Sequence, residues 1–304
     1  MKQMAAGMLF KLLQLEIAYR LYQRKGLTEG RGSVGFRKLA ALFATLVCVA
    51  CFLCACSSSQ PASPDDSRTT LVVGSDNYPP YNYLDENGNP TGIDVDIFTE
   101  ALNRMGYNVE FKYINWEEKD ILLESGEIDL VAGSFTMTGR ESLYRWAGPY
   151  MQSRQVVAVS SESDIYTLAD LEGKVVAVQS TTRPEALLLN KSDSRIPQLK
   201  NLFTIDDRLE LYPALSKGYV DAIAAHEVSI KQYEQDYGMS YRILDESLLD
   251  VGLGAAFYKD DDRGIAERLD NMLSEMHADG SLERIIGKYL DDPAKCLGVD
   301  ARDA

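Results

Sequence analysis

The stretch GIDVDI at residues 92–97 begins the segment that decides the fold. A helix is predicted over residues 94–106, because its apolar residues recur at the spacing that places them on one face. The apolar run TLVVGS at residues 70–75 predicts a buried strand before this helix, and residues 108–114 predict another strand after it. A strand, a helix and a second strand in this order are typical of a parallel α/β sheet.

The alternation of short apolar strands with amphipathic helices continues along the chain, and two further helices are predicted before its end. It falls into two series, of which the first closes with an extended apolar run at residues 155–160. Two α/β series in one body indicate two lobes with a cleft between them. The second series is predicted as strands at 174–179, 202–205, 220–224, 241–244 and 252–258 and helices at 182–189, 208–217 and 227–237.

Charge is distributed unevenly along the chain. The 304 residues carry a formal charge of −15 at pH 7, but residues 1–56 hold eight Lys or Arg and only two Asp or Glu. The remaining 248 residues therefore carry a formal charge of −21. A body this acidic is repelled by nucleic acid and by anionic lipid headgroups, so neither is an expected partner of it. The chain is 45% hydrophobic and 25% charged, which is ordinary for a globular protein and argues against disorder.

The run LAALFATLVCVACFLCAC at residues 39–56 contains no charge and follows several basic residues. A basic region, an apolar region and a small residue before a cysteine predict a signal peptide, so residues 1–56 are predicted to be a leader. The ending LCAC resembles the lipobox of bacterial lipoproteins, in which the last cysteine, here Cys56, is acylated. Residues 57–68 are typical of a flexible tether. An uncleaved signal anchor is the alternative for the same apolar run.

Motifs for a metal or a cofactor do not occur in the sequence. The chain has only two histidines, and the pair His226-Glu227 lacks the second histidine of a zinc-binding helix. A nucleophile elbow of the form Gly-x-Ser-x-Gly is also missing. We therefore expect neither a metal nor a cofactor.

A series of short segments resembles the family 3 bacterial solute-binding proteins, which serve polar amino acid importers. The first is the GIDVDI stretch that opens the predicted helix, and the similarity extends from residue 69 to about residue 291. Each segment is weak alone, but their order and spacing make the set specific. The further segments are YPPY at 78–81, GEIDL at 126–130, TMTGR at 136–140, GPY at 148–150, LEGK at 171–174, QSTT at 179–182 and GYVDA at 218–222.

The resemblance implies a two-lobed α/β fold of the periplasmic-binding-protein type II, which closes on a small ligand like a clam shell. Two hinge strands would join the lobes. Lobe one would comprise residues 69–157 plus 253–292, and lobe two would comprise residues 158–252. Residues 293–304 would form a tail.

Arg140 is the residue on which the resemblance places a ligand carboxylate. It lies in a loop after a predicted buried strand, and its guanidinium fork can hold a carboxylate through two parallel hydrogen bonds. Ser134 and Thr136, just upstream, would add hydroxyl and backbone groups. Thr181 and Thr182 lie between a strand and the start of a helix, where free N–H groups favour an anion.

Aromatic residues would form the wall that faces the rest of the ligand. The resemblance implies this role for Tyr78, Tyr81 and Trp116, whose rings can stack on a ligand, although Tyr81 is equally consistent with the core. Asp76 lies near the same wall, where it would either meet a cationic end of the ligand or cap a turn.

His226 is the main departure from the family pattern, because the family aspartate that pairs with the ligand ammonium falls on this residue. The adjacent Glu227 points elsewhere, since neighbouring residues on a helix do not share a face. A buried ammonium without a counter-charge is costly. If His226 takes part in binding, affinity is expected to change with pH through the histidine range.

Together these features predict an exported receptor, lipid-anchored to the cell membrane, that captures a small polar solute, an amino acid or a derivative. It would present the solute to the membrane subunits of an ABC importer, and we expect a monomer. Two alternatives stay open. One is an enzyme that resembles the exported cyclohexadienyl dehydratases, with Glu227 or His226 as the acid or base. The other is a sensory ligand-binding module.

Overall fold

The structure is a computed structural model that describes residues 68–190 and 193–297. The predicted leader with Cys56, most of the tether and the end of the tail lie outside the described residues. The described residues belong to one compact unit. Among them, no helix is both long enough and apolar enough to cross a membrane.

Strands form the centre of the described part of the chain. Eight of them make one large sheet, and two short strands pair separately. In chain order they are β1 (Thr70–Ser75), β2 (Tyr83–Leu84), β3 (Pro90–Thr91), β4 (Asn108–Tyr113), β5 (Leu130–Val131), β6 (Arg145–Ser160), β7 (Val175–Gln179), β8 (Asn201–Ile205), β9 (Ala222–His226) and β10 (Tyr241–Phe257).

Helices connect and cover these strands. The first begins directly after Gly92 and buries the apolar face that the sequence predicts. The helices of the described residues are α1 (Ile93–Arg104), α2 (Lys119–Ser125), α3 (Arg183–Asn190), α4 (Leu211–Ser216), α5 (Glu227–Tyr237), α6 (Ile265–Ala278) and α7 (Ser281–Ile286).

The large sheet has the strand order β4-β1-β5-β10-β6-β9-β7-β8. β4, β1 and β5 run parallel at one end, and β9, β7 and β8 run parallel at the other. Between these two sets, β10 and β6 pair with each other in antiparallel fashion. The predicted α/β class is confirmed. We call lobe one the half that contains β1, β4 and β5, and lobe two the half that contains β7, β8 and β9.

The two central strands pass from one hydrophobic core to another. In β6, Met151 packs in the core of lobe one and Val157 packs in a core of lobe two. In β10, Leu244 packs in lobe two and Leu253 packs in lobe one. These two long strands are the hinge strands of a two-lobed fold, as the resemblance implies.

The hinge strands are longer than the sequence predicts. Residues 241–244 and 252–258 were expected as separate strands, but they belong to one strand, Tyr241–Phe257. The run at 155–160 is only the last part of the strand Arg145–Ser160. Polar side chains interrupt the apolar pattern in both strands, so side-chain periodicity fails to detect them. Pairing satisfies their backbone groups whatever the side chains are.

The strand before α5 also differs from the prediction. It was expected at 220–224 and spans Ala222–His226. The residue before it, Asp221, accepts a hydrogen bond at 2.7 Å from the backbone N–H of Val175 in lobe two. His226 is therefore the last residue of a buried strand, and α5 begins at the next residue.

Candidate functional site

A small cavity lies beyond the carboxyl ends of the parallel strands of both lobes. About 30 Å³ of it is open to the centre of a water molecule, so the cavity is small in this conformation. Ligands of open α/β sheets usually bind at this edge of the sheet. The lining residues are Tyr78, Trp116, Ser134, Phe135, Thr136, Arg140, Gln155, Gln179, Thr182, Arg183, Pro184, Arg208, Leu211, Tyr212, Ala224, Ala225 and His226.

Asp94 holds the loop that follows β5. Its carboxylate oxygen Oδ2 accepts hydrogen bonds from the backbone N–H groups of Gly133 and Ser134, both at 2.7 Å, and from the hydroxyl of Tyr150 at 2.8 Å. Burial raises the pKa of Asp94 to about 6, although the three donors oppose this rise. The carboxylate keeps Ser134 at a φ of 54°, a conformation that non-glycine residues rarely adopt. Asp94 therefore shapes the cavity wall without lining it.

Arg140 extends from the same loop toward lobe two. Its Nη2 donates a hydrogen bond to the backbone oxygen of Thr181 at 2.8 Å, and its guanidinium carbon lies 5.0 Å from the ring centre of Phe135. Burial lowers the pKa of Arg140 to about 10, so the side chain remains charged at neutral pH. Within the described part of the chain, no carboxylate lies within 4.0 Å of it. Its charge is available to a ligand anion.

Thr181 and Thr182 form the junction between β7 and α3. The N–H of Thr181 donates to the carboxylate of Glu185 at 2.7 Å, and its hydroxyl accepts from the Lys119 amine at 2.9 Å. Thr182 donates its hydroxyl to the backbone oxygen of Gln179 at 2.6 Å. The N–H of Thr181, which the sequence places among the donors to a ligand anion, is thus occupied by Glu185 in this conformation.

The aromatic wall is partly covered by the protein itself. The guanidinium carbon of Arg208 lies 3.5 Å from the ring centre of Tyr78 and 5.6 Å from that of Trp116. Its Nε donates to Oδ2 of Asp76 at 2.9 Å, and both side chains are largely buried. The side-chain amide of Gln179 donates to the same oxygen at 2.7 Å. An arginine of lobe two therefore occupies the ring faces of lobe one.

Tyr81 lies behind this wall and does not line the cavity. Its side chain is completely buried, and its hydroxyl lies 3.4 Å from the hydroxyl of Ser153. The structure therefore places Tyr81 in the core of lobe one, which was the alternative to a ligand-binding role for this residue. The sequence pattern does not distinguish a ring that lines the cavity from one that packs in the core behind it, because both rings are buried.

His226 lies in the wall with both ring nitrogens occupied. Nδ1 is 2.8 Å from the hydroxyl of Ser153, and Nε2 is 3.2 Å from the amide nitrogen of Gln155. Burial and the positive charge of Arg208 lower the pKa of His226 to about 3. The imidazole is therefore neutral between pH 5 and 8. Titration of His226 is thus not expected to change the ligand affinity in this range.

Buried polar atoms without a hydrogen-bond partner are concentrated at the site. Seven such side-chain atoms occur among the described residues, and five belong to this region. Native proteins leave few buried polar atoms unpaired, so the cluster indicates groups that await a polar ligand. The five atoms are Oδ1 of Asp76, Nε1 of Trp116, Oγ of Ser134, Oε1 of Gln179 and Nε of Arg183.

Most residues that the resemblance implies do come together. Three of the implied residues do not line the cavity. Asp76 and Thr181 contact side chains of its wall, and Tyr81 lies in the core. In the parts of the chain that the structure covers, no group of three His, Cys, Asp or Glu is placed to hold a metal ion. The implied residues that line the cavity are Tyr78, Trp116, Ser134, Thr136, Arg140, Thr182 and His226.

Several functional residues escaped the sequence reasoning. Asp94 had a signal, because a charged residue stands on the apolar face of its helix, one turn before Phe98. Arg183 and Arg208 had none, because an arginine at the start of a helix is usually solvated. Gln155 and Gln179 are strand residues whose role depends on contacts with distant parts of the chain.

Comparison with known proteins decides the family. The model of the bacterial extracellular solute-binding proteins, family 3, matches residues 71–292. The chain belongs to this family. The match includes the GIDVDI stretch and both hinge strands of this solute-binding protein.

Relatives and solved structures agree with this membership. The solute-binding protein is 27% identical to the glutamate-binding protein GluB of Corynebacterium glutamicum over 66% of this chain and 72% of that one. An ancestral arginine-binding protein bound to arginine is 28% identical, with a TM-score of 0.66, over 73% of this chain and 99% of its own. An ancestral amino acid-binding protein, a precursor of cyclohexadienyl dehydratase, is 25% identical, with a TM-score of 0.63, over 72% and 95%.

Glu227 and His226, the two candidates for an acid or base, are both engaged by other side chains. Glu227 does not line the cavity; it forms ion pairs with Arg154 at 2.9 Å and with Lys231. Burial raises the pKa of Glu227, but these two cations outweigh the effect and the pKa is lowered. His226 is neutral and both of its nitrogens are occupied. Neither residue is placed to transfer a proton to a molecule in the cavity.

Proposed function

We propose that this solute-binding protein captures a small polar solute, an amino acid or a close relative, and presents it to the membrane subunits of an ABC importer. The observation that carries the proposal is the charged guanidinium of Arg140, which faces the cavity without a carboxylate partner among the described residues. Family membership supports the transport role, since the relatives named above bind amino acids.

The site would consist of the residues that the sequence and the cavity have in common. Arg140 would bind a carboxylate, with Ser134, Thr136 and Thr182 beside it. Tyr78 and Trp116 would line the opposite wall, together with His226. Asp76 and Thr181 would act through the side chains they contact, and Tyr81 would support the wall from behind.

Closure of the two lobes would trap the solute. With lobe one as residues 69–157 plus 253–292 and lobe two as 158–252, several polar contacts bridge the cleft. They include the Asp76–Arg208 ion pair, the bond of Gln179 to Asp76, and the bonds of Lys119 and Arg140 to Thr181. These contacts stabilise a closed form, and the space of about 30 Å³ requires the lobes to separate before a solute can enter.

The simplest test identifies the solute directly. The body of the protein, purified under native conditions, should release a small molecule on mild denaturation, which mass spectrometry would identify. Titration calorimetry with that molecule should then give a saturable binding curve with one site. Failure to bind any amino acid or carboxylic acid in such titrations would contradict the proposed function.

The protein would return its ligand unchanged rather than act as an enzyme. The positions of His226 and Glu227 support this view, because neither offers a proton to the cavity. Incubation with prephenate or arogenate, followed by product analysis, separates the two functions. Formation of an aromatic product at a catalytic rate would favour the dehydratase alternative.

Export and anchoring at Cys56 complete the proposal. They rest on the sequence, in which the LCAC ending follows an apolar run and precedes a polar tether. Cells producing the Cys56→Ser variant should incorporate no labelled fatty acid into the protein, whereas the natural chain should be labelled. Equal labelling of the two chains would remove the lipid anchor. Gel filtration of the body should give the mass of a monomer.

A further inference from the structure

The wall of the cavity carries an excess of positive charge. Arg140, Arg183 and Arg208 line it, and no Asp or Glu does so among the described residues. The amine of Lys119 lies just outside, bonded to the backbone oxygen of Trp116 at 3.3 Å. Four cations therefore surround this small space.

Only one of these charges is balanced by a carboxylate. Arg208 pairs with Asp76 at 2.9 Å. In the described ranges, neither Arg140 nor Arg183 has a carboxylate within 4.0 Å, and Nε of Arg183 is buried without a hydrogen-bond partner. The guanidinium of Arg183 packs against the backbone of Gly139, where any side chain would collide with it.

Neighbouring cations lower one another's pKa values, although Asp120 opposes this effect at both Arg140 and Lys119. Burial lowers the pKa of Arg140, and the neighbouring charge of Arg183 lowers it further. Burial also lowers the pKa of Lys119, and the charge of Arg140 adds to that effect. Like charges in a buried site repel each other strongly, because water does not screen them. An anion in the cavity would relieve this repulsion, and a second anionic group would relieve more of it.

The same wall offers little to an ammonium group. Both ring nitrogens of His226 are occupied, and Oδ2 of Asp76 already accepts from Arg208 and Gln179. The unpartnered acceptors at the wall are Oδ1 of Asp76, Oε1 of Gln179 and Oγ of Ser134, and a ligand hydroxyl can donate to each of them. A ligand ammonium would add a positive charge where three arginines already stand.

Arg140 and Arg208 stand at neighbouring aromatic rings of the cavity wall. Arg140 stands over the ring of Phe135 and Arg208 stands near the ring of Trp116, at 5.0 and 5.6 Å from the respective ring centres. The two ring centres are 5.1 Å apart. The two guanidinium groups therefore stand beside adjoining rings, and two acid groups of one ligand could each meet one of them.

We propose that the solute of this protein is a small dicarboxylate without a required ammonium group, bound by Arg140 and Arg183 at one end and by Arg208 at the other. The inference rests on the proposed function of the cavity as a solute-binding site. Unlike recognition of an α-amino acid, this binding mode requires a second acid group and does not require an ammonium group.

Titration calorimetry of the natural chain, freed of any bound solute, tests the proposal with matched compounds. Glutarate and 2-oxoglutarate should bind at least tenfold more tightly than glutamine, and glutamate should bind no more tightly than glutarate. The proposal is overturned if glutamine or arginine binds more tightly than the diacids, or if glutamate exceeds glutarate tenfold. In either case the proposed function stands. Binding of none of these solutes would contradict both.

Variants test the residues. Arg183→Gln and Arg208→Gln should each lower the affinity for glutarate at least tenfold. The control Arg284→Gln should not change it, because Arg284 is exposed and pairs with Glu100 away from the cavity. Thermal unfolding checks that each variant is folded. If Arg208→Gln does not fold, Arg183→Gln alone tests the proposal. Unchanged glutarate affinity in a folded Arg183 variant would remove that arginine from the site and overturn the proposal as stated.

Discussion

The guanidinium carbon of Arg208 lies 3.5 Å from the ring centre of Tyr78, although the two residues belong to opposite lobes. Attraction between a cation and an aromatic face is strong when both are desolvated. The protein therefore places its own cation on the ring that would otherwise stack on a ligand. This contact helps to close the cleft and to determine which solutes can enter it.

Replacement of Arg208 should change specificity. In Arg208→Gln, the Asp76 carboxylate and the ring of Tyr78 lose their internal cation, so a ligand guanidinium can take its place. We expect the affinity for L-arginine to rise at least tenfold, as measured by calorimetry. Arg208→Lys keeps a cation in this position and should show no such gain. A gain in both variants would contradict the role given to the charge.

Loss of Arg140 should abolish tight binding without unfolding the protein. Breaking a buried charge-assisted pair costs roughly 3–5 kcal/mol, which is on the order of a hundred- to several-thousand-fold in affinity. Calorimetry with the co-purified solute measures the loss in Arg140→Ala. The matched control is Arg145→Ala, whose arginine pairs with Glu267 on the surface. Near-identical affinities in these two variants would exclude Arg140 from the site.

The imidazole of His226 should stay neutral across the physiological range. Burial and the charge of Arg208 lower its pKa to about 3. Its NMR signals, assigned by their loss in His226→Gln, should therefore not shift between pH 5 and 8. A titration of these signals centred between pH 6 and 7 would show that water or an anion reaches the ring.

A carboxylate at position 226 should create an ammonium site. In His226→Asp, the hydroxyl of Ser153 and the amide of Gln155 can both donate to the new side chain, which adds a negative charge to the wall. The affinity ratio of glutamate to glutarate should rise at least tenfold, because a hydrogen bond to a charged group contributes about 1.5–3 kcal/mol. His226→Asn, which lacks the charge, is the control and should leave the ratio unchanged.

Asp94 should make stability depend on pH. Burial raises its pKa to about 6 in the folded protein from an ordinary value of 3.8. Between these values the folded state keeps a proton that the unfolded state has lost, so the stability that Asp94 contributes falls as pH rises. The loss is about 2 kcal/mol between pH 4 and 7.

Urea unfolding of the natural chain and of Asp94→Asn measures this effect. The asparagine oxygen can still accept hydrogen bonds from the loop, so the variant should fold. As pH rises, the free energy of unfolding of the variant should increase relative to that of the natural chain. A constant difference from pH 4 to 7 would mean that the carboxyl does not titrate in this range.

The sequence by itself determined the elements whose cause is local. Apolar periodicity predicts the strand Thr70–Ser75 and the helix that follows GIDVDI, because each must bury one face. The family resemblance that the order and spacing of short segments carry also implied a place at the cleft for Arg140. These features need only the chain's own neighbours along the sequence, and the family match bears out the fold that they predict.

Only the tertiary structure decided the electrostatics of the site. The pairing of Asp76 with Arg208, and the neutral state of His226 between Ser153 and Gln155, join residues that are more than seventy positions apart. The pKa of a side chain depends on its burial and on nearby charges, and neither is encoded in local periodicity. The sequence therefore indicates a solute-binding cleft, while the folded chain determines which charges a solute meets inside it.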